Sequence, residues 1–278
     1  MKKLITLFLP EIVKSYLRII VNKIILSKCN KNVCNTKNLR VVDNNLCQVI
    51  FSNSEINDDW ENKMQNNSSF LNLPDNNHGI NKGDQRAIYY LIKGIKIKSV
   101  LEIGTHIGVS TYYFSNALKD VTKDYNIVTV DIIDVNDINN KHWENFGATS
   151  SPLSRLESGG LANNVKFIKS DSVDYMKRCK QKFDLIFLDG SHQANVVYNE
   201  MPCALNLLNP NGIILLHDFY PNNKPLWDNN VILPGPYLAM HRYNNEGVNF
   251  KTIPLGDLPW ETKNNSSSSS LAIVSKTD

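Results

Sequence analysis

The sequence predicts an α/β fold: a doubly wound, mostly parallel seven-stranded sheet, closed by an antiparallel terminal hairpin and preceded by an N-terminal helical extension. Three observations predict it. From Lys98 onward, short apolar runs alternate with helical stretches. The runs are apolar throughout rather than alternating, as strands buried on both faces of a parallel sheet require. Two further runs near the C-terminus have only a polar, serine-rich turn between them, so they pair antiparallel.

The elements follow in order. Over 10–26 the apolar set Ile12, Val13, Tyr16, Leu17, Ile20 and Ile24 recurs at three and four, a helical period. Pro10 fits the first turn, and Lys14, Arg18 and Lys23 break the run. Ile19, Val21 and Ile25 leave this helix apolar nearly all round. Two placements stay open for it: on an anionic membrane surface, or docked on its own domain or a second copy. Residues 4–9 are too few for a signal-peptide core or a membrane span. Residues 1–28 are thus a basic amphipathic helix. Residues 29–82 read as an Asn-rich linker and irregular substrate-side region, and 83–278 as the main domain. Within it, 83–94 is a short helix with Ala87, Ile88, Leu91 and Ile92 as its apolar face. Strands follow at Ser99–Ile103, 127–130, 165–168, Phe183–Leu188 and 213–216. Crossover helices fall at 109–118, 172–180 and 194–208. The hairpin strands are 248–253 and 271–274. Trp143, in the polar segment 132–164, is either a stacking surface for a ligand base or a core anchor. The loop 221–236, with Trp227, lies on the substrate side, where loops set specificity.

Composition bounds the function. Of 278 residues, 42% are hydrophobic and 21% charged, which is globular and not disordered. The net charge of +3 is uneven: residues 1–40 hold nine Lys/Arg and one acid, leaving −5 on the rest. That excludes an evenly basic nucleic-acid binder. The 38 asparagines suit turns and helix caps. Five cysteines at irregular spacing form neither a disulfide framework nor a zinc site. They read as reduced thiols, hence a cytoplasmic protein, or one peripheral to the membrane through its first helix.

The first strand runs into Val100-Leu101-Glu102-Ile103-Gly104-Thr105-His106-Ile107-Gly108, and a helix begins just after. Such a loop lets a ligand approach the backbone and the free N–H groups of the helix start. The pattern E-x-G-x-x-x-G is neither a dinucleotide fingerprint nor a phosphate-cradling loop. Asp131 ends the second strand, where a carboxylate can accept both hydroxyls of a ribose. Asp171 follows the third strand, where it can accept from an adenine amino group. Glu102 sits at the mouth of the first strand. Each could merely cap a helix, but open α/β sheets bind ligands at these strand ends.

On these residues the sequence resembles the class I S-adenosylmethionine-dependent methyltransferases, from about Gly83 to the C-terminus. The resemblance implies a Rossmann-like methyltransferase fold with S-adenosylmethionine as cofactor, and the hairpin matches that family's antiparallel seventh strand. By resemblance Gly104 and Gly108 pass close to the methionine part, Ser110 helps hold that end, and Asp131 is the ribose acid. Glu102, Thr105, Asp171, Ser172 and Asp189 complete the expected cofactor set.

The fourth strand ends at Asp189-Gly190-Ser191-His192, and the fifth at His217-Asp218-Phe219. Two carboxylates facing one cleft, with a third oxygen or nitrogen, can hold a divalent cation. The cation would orient a substrate hydroxyl and lower its pKa, and a nearby histidine would take the proton. These motifs are similar to those of metal-dependent O-methyltransferases, one branch of which acts on catechols and another on sugars or glycosylated natural products. Gly83-Asp84-Gln85 is also similar to the catechol branch. The chain departs from both. His192 stands where the catechol branch has a lysine, and Phe219 where it has a ligating Asn. His217 stands where the sugar branch has an acid. The expected metal set is Asp189, His217 and Asp218, for Mg2+ or another divalent ion, with no metal as the open alternative. The expected catalytic residues are His192, as base, and Asp189. His106, inside the glycine loop, reads as structural or cofactor-adjacent.

The implied activity is methylation of a small hydroxylated acceptor, a sugar or glycosylated metabolite. Two other readings stay open. The absent third glycine and the terminal hairpin argue against a nicotinamide (NAD)-dependent oxidoreductase. Phe219 and His217 keep open a non-catalytic cofactor-binding module. No nucleic-acid partner is expected. The first helix is expected to meet a membrane surface or a second copy.

Overall fold

The computed structural model describes residues 9–66, 79–263 and 265–277. The first eight residues of the basic arm, residues 67–78 and Asn264 of the serine-rich turn lie outside them. Seven strands form one sheet in the order β3-β2-β1-β4-β5-β7-β6. The strands are β1 Ser99–Ile103, β2 Asn126–Asp131, β3 Val165–Lys169, β4 Phe183–Leu188, β5 Leu208–Leu216, β6 Phe250–Pro254 and β7 Ala272–Lys276. The first five run parallel, and β7 is antiparallel to both β5 and β6. The doubly wound sheet with an antiparallel terminal hairpin is therefore as the sequence predicts. Strand order reverses between β1 and β4, and a crevice opens at their carboxyl ends.

Nine helices accompany the sheet among the described residues. They are α1 Glu11–Ser27, α2 Asn44–Phe51, α3 Ser54–Asn66, α4 Lys82–Ile95, α5 Val109–Val121, α6 Pro152–Ser158, α7 Ser172–Arg178, α8 Ala194–Asn206 and α9 Gly235–Asn245. One core cluster lies under α2 to α5, with Ile88, Leu91, Phe114 and Phe187 fully buried. The other lies under α7 to α9, with Phe183, Ile186, Tyr198 and Tyr243. The central strand β1 is buried along its length and β4 at all but Asp184, whereas β3, at the sheet edge, is half-buried.

The segment 29–82 differs from the expected irregular linker. Two helices occupy it, capped by Asp43, whose side chain accepts from Leu46 N, and by Asn53, whose side chain accepts from Ile56 N. Cys47, Ile50, Phe51, Ile56 and Trp60 enter the first core cluster. Asparagines dilute the pattern, so a few anchors at helical spacing do the packing. The stretch before these helices is also pinned. Arg40 N donates to Gly212 O at 2.9 Å, Lys276 N donates to Arg40 O at 3.1 Å, and Val42 N donates to Ser275 Oγ at 2.8 Å. Two further helices, α6 and α9, stand in segments read as loop or left unassigned.

Candidate active site

A cavity of about 1000 Å³ opens at the carboxyl ends of the parallel strands. That is large for a small-molecule site, enough for a donor and an acceptor together. Gly104, Thr105, Ser110, Asp131, Asp171, Ser172 and Asp189 line it, as do His192, His217 and Asp218. Two predicted residues do not. Glu102 is fully buried beneath the loop, where Ser110 Oγ and Thr111 Oγ1 each donate to it at 2.5 Å. It supports the glycine loop from below. Burial pushes its carboxyl up to about 7, against the Ser110, Thr111 and Thr129 hydroxyls and helped by Asp189. Gly108 caps α5 with φ 72°, and a Cβ there would lie 2.7 Å from Pro152 Cβ. Its smallness serves packing against α6.

Gly104 has φ 98°, and a Cβ there would collide with the Asp189 carbonyl. The glycine loop and the end of β4 thus touch backbone to backbone, and Asp189 N donates to Ile103 O at 2.9 Å. This contact is how the β1 loop meets the acids at the ends of β4 and β5. Asp131 accepts from His106 N at 2.9 Å and from Ile133 N at 3.2 Å, which fixes its carboxylate at the rim. His106, with φ 50°, lines the cavity and packs its ring on Phe146, centroids 4.3 Å apart. Trp143 is buried in the first core cluster and is not among the lining residues, so it is a core anchor.

At the other end lies a carboxylate–histidine cluster. His217 Nδ1 and Asp189 Oδ1 are 2.8 Å apart. His192 Nε2 lies 3.2 Å from Asp218 Oδ2, and His217 Nδ1 lies 3.6 Å from the same atom. His217 is pushed up to about 10: burial lowers it, but Asp189, Asp218 and Asp84 around the ring outweigh that. Ligand atoms of Asp189, His192 and Asp218 lie within 4.8 Å of one another, a grouping able to hold a metal ion. It includes His192, which the sequence suggested as the base; His217, the expected ligand, lies 2.8 Å from Asp189 and 3.6 Å from Asp218 through its Nδ1. The donor set, two carboxylates and an imidazole, suits a divalent ion that keeps sites for water or substrate.

Sequence reasoning gave no site role to two buried acids of this region. Asp84 is fully buried in the first turn of α4, where Ser269 Oγ, Ser270 Oγ and Asn81 Nδ2 donate to it at 2.5, 3.0 and 2.7 Å. Its Oδ2 lies 4.0 Å from His217 Nε2. Burial raises its pKa, opposed by His217 and these donors. Glu200 on α8 lines the cavity, and Ser172 Oγ donates to it at 2.6 Å. Burial pushes it up to about 7, against the Ser172 hydroxyl and helped by Asp171. The signal for both was an acid on an otherwise apolar helix face.

Comparison with known proteins agrees with this geometry. Residues 101–219, from β1 to just past β5, match a methyltransferase-domain family model. Rhamnosyl O-methyltransferases of Mycobacterium tuberculosis and Mycobacterium bovis are 28% identical over 158 residues, covering 54% of this chain and 56% of theirs. The match spans only about half the length of those relatives. Among solved structures, an O-methyltransferase from Bacillus cereus in complex with SAH aligns with TM-score 0.53 and 18% identity, covering 81% of this chain and 92% of that one. The O-methyltransferase TomG of Streptomyces achromogenes, solved with SAM, aligns with TM-score 0.51 and 16% identity, covering 86% and 92%. The fold is that of these solved methyltransferases, and residues 101–219 match a methyltransferase domain, in line with the class I S-adenosylmethionine-dependent methyltransferases that the motifs resemble.

Proposed function

We propose that the chain transfers a methyl group from S-adenosylmethionine to a hydroxyl oxygen of a small acceptor, and that the acceptor is a sugar or a glycosylated metabolite. One observation carries the activity: acids from four strand ends converge on a single cavity, with Asp131 and Asp171 at one side and Asp189 and Asp218 at the other. The similarity to rhamnosyl O-methyltransferases supports the sugar.

Asp131 accepts the ribose hydroxyls, Asp171 faces the adenine, and Gly104, Thr105 and Ser110 border the methionine part. When bound, S-adenosylmethionine supplies an electrophilic methyl group, which leaves sulfur for oxygen. His192 Nε2 lies 3.2 Å from Asp218 Oδ2, and His192 is the base that takes the acceptor's proton. Asp189 and His217 form the floor on which the acceptor is positioned, and positioning supplies much of the rate in such a transfer. The convergence of Asp189, His192 and Asp218 favours a second reading of the same site. These three residues would hold a divalent cation, which would orient the acceptor hydroxyl and lower its pKa.

Calorimetric titration with S-adenosylmethionine and with NAD tests the donor; binding of NAD alone would sink the proposal. Transfer of labelled methyl to rhamnosides and to catechols tests the acceptor, and exclusive use of catechols would overturn the sugar. Replacing His192 with Ala is expected to cost roughly 100-fold or more in turnover. Chelator-treated protein with and without magnesium separates the two readings of the site: full turnover without metal leaves His192 as the base.

A further inference from the structure

Helix α1 docks on the body by its polar side. Ser15 and Asn22 are buried together with Leu26. Ser15 Oγ donates to Asn230 O at 2.9 Å and accepts from Ile232 N at 3.1 Å. Asn22 Oδ1 accepts from Ala194 N, the first residue of α8, at 2.7 Å. Arg242 of α9 donates to Leu26 O and to Cys29 O at the end of the helix. The opposite face holds Ile12, Tyr16, Leu17, Ile20, Val21 and Ile24, each between 42% and 65% exposed. An amphipathic helix serving only its own core would be turned the other way, and a contiguous exposed apolar face marks an interaction surface.

Charge identifies the occupant. Residues 1–40 carry a net +8. Lys23 and Lys28 are exposed on and just past the helix, beside the apolar face. Two copies meeting through α1 would set two such arms against each other across the contact. Anionic headgroups neutralise them. A helix of 17 residues that is not long and apolar enough to cross a membrane suits a position in the interface plane.

The helix also reaches the cavity. Ile19 packs on the cluster of Tyr220, Trp227 and Ile232, and Tyr220 and Trp227 line the cavity wall. We infer that α1 is a docking surface for an anionic lipid bilayer, and that docking sets this wall of the cavity beside the membrane surface.

The test is co-sedimentation of the full chain with vesicles of phosphatidylcholine alone and of phosphatidylcholine with phosphatidylglycerol, at low and high salt. The expected result is binding to the anionic vesicles that weakens with salt. The triple variant Tyr16→Glu, Ile20→Glu, Ile24→Glu is expected to bind at least tenfold more weakly, with an unchanged thermal melt. The pair Lys23→Glu, Lys28→Glu leaves the apolar face intact, is expected to weaken binding to the anionic vesicles, and decides the matter if the triple variant fails to fold. Absence of anionic-vesicle binding by the wild type, or equal binding by the variants, overturns the inference. So does a dimer in sedimentation velocity that the triple variant dissociates, because a second copy would then cover the face. Vesicle binding needs no methyl donor, so its failure leaves the proposed activity standing, and failure of the donor to bind leaves this inference standing.

Discussion

Glu102 shows how one residue type at one position serves two readings. Its place in the motif suggests a ligand contact; its burial and its two hydroxyl donors make it the support of the glycine loop. The unfolded carboxyl titrates near 4.5 and the folded one near 7. The folded state therefore holds its proton more tightly, so the carboxyl's contribution is complete below pH 4.5 and is lost as pH rises through 7. Replacing Glu102 with Gln, which stays neutral, is expected to stabilise the protein relative to wild type at pH 8 by about 1–3 kcal/mol and to make little difference at pH 4.5. Denaturant unfolding at the two pH values checks this, and an equal difference at both would refute it. Gly104 makes the complementary point. With φ 98° and the Asp189 carbonyl against it, Gly104→Ala is expected to shift the loop and abolish S-adenosylmethionine binding in calorimetry.

At the scale of elements, the sequence made the strands and crossover helices of the sheet legible. Continuous apolar runs bounded by polar turns have few other stable placements. The described helices of 29–82 were not legible, because asparagine-rich segments lack the density of apolar residues that a period needs. Their anchors, such as Phe51 and Trp60, gain meaning only once α4 is there to receive them. Helix α1 was legible as a helix, but not its orientation. The apolar residues defined the period, yet Ser15 and Asn22 dock it. Asn22→Ala would leave the buried Ala194 N–H without its acceptor and is expected to cost about 1–3 kcal/mol in denaturant unfolding. An unchanged midpoint would mean that this bond contributes nothing to the body's stability.

For the whole molecule, the cavity lies where strand order reverses, and its walls come from segments far apart in the chain: the β1 loop, the ends of β4 and β5, and residues 220–233. A ligand that binds only this assembled site stabilises the whole fold. S-adenosylmethionine at 100 times its Kd is expected to add about 2.7 kcal/mol, read as a rise in Tm, whereas NAD at the same concentration leaves Tm unchanged. The sheet, its terminal hairpin, the acids at the strand ends and the charge asymmetry are legible in the unfolded chain. These depend on local periodicity and on residue type, which the chain carries without folding. Folding is what places Glu102 under the loop, Asp84 and Glu200 beside the site, and His192 with Asp189 and Asp218, and what turns the apolar face of α1 outward. Each of these is a relation between segments distant in sequence, set by which surfaces the packed core leaves open.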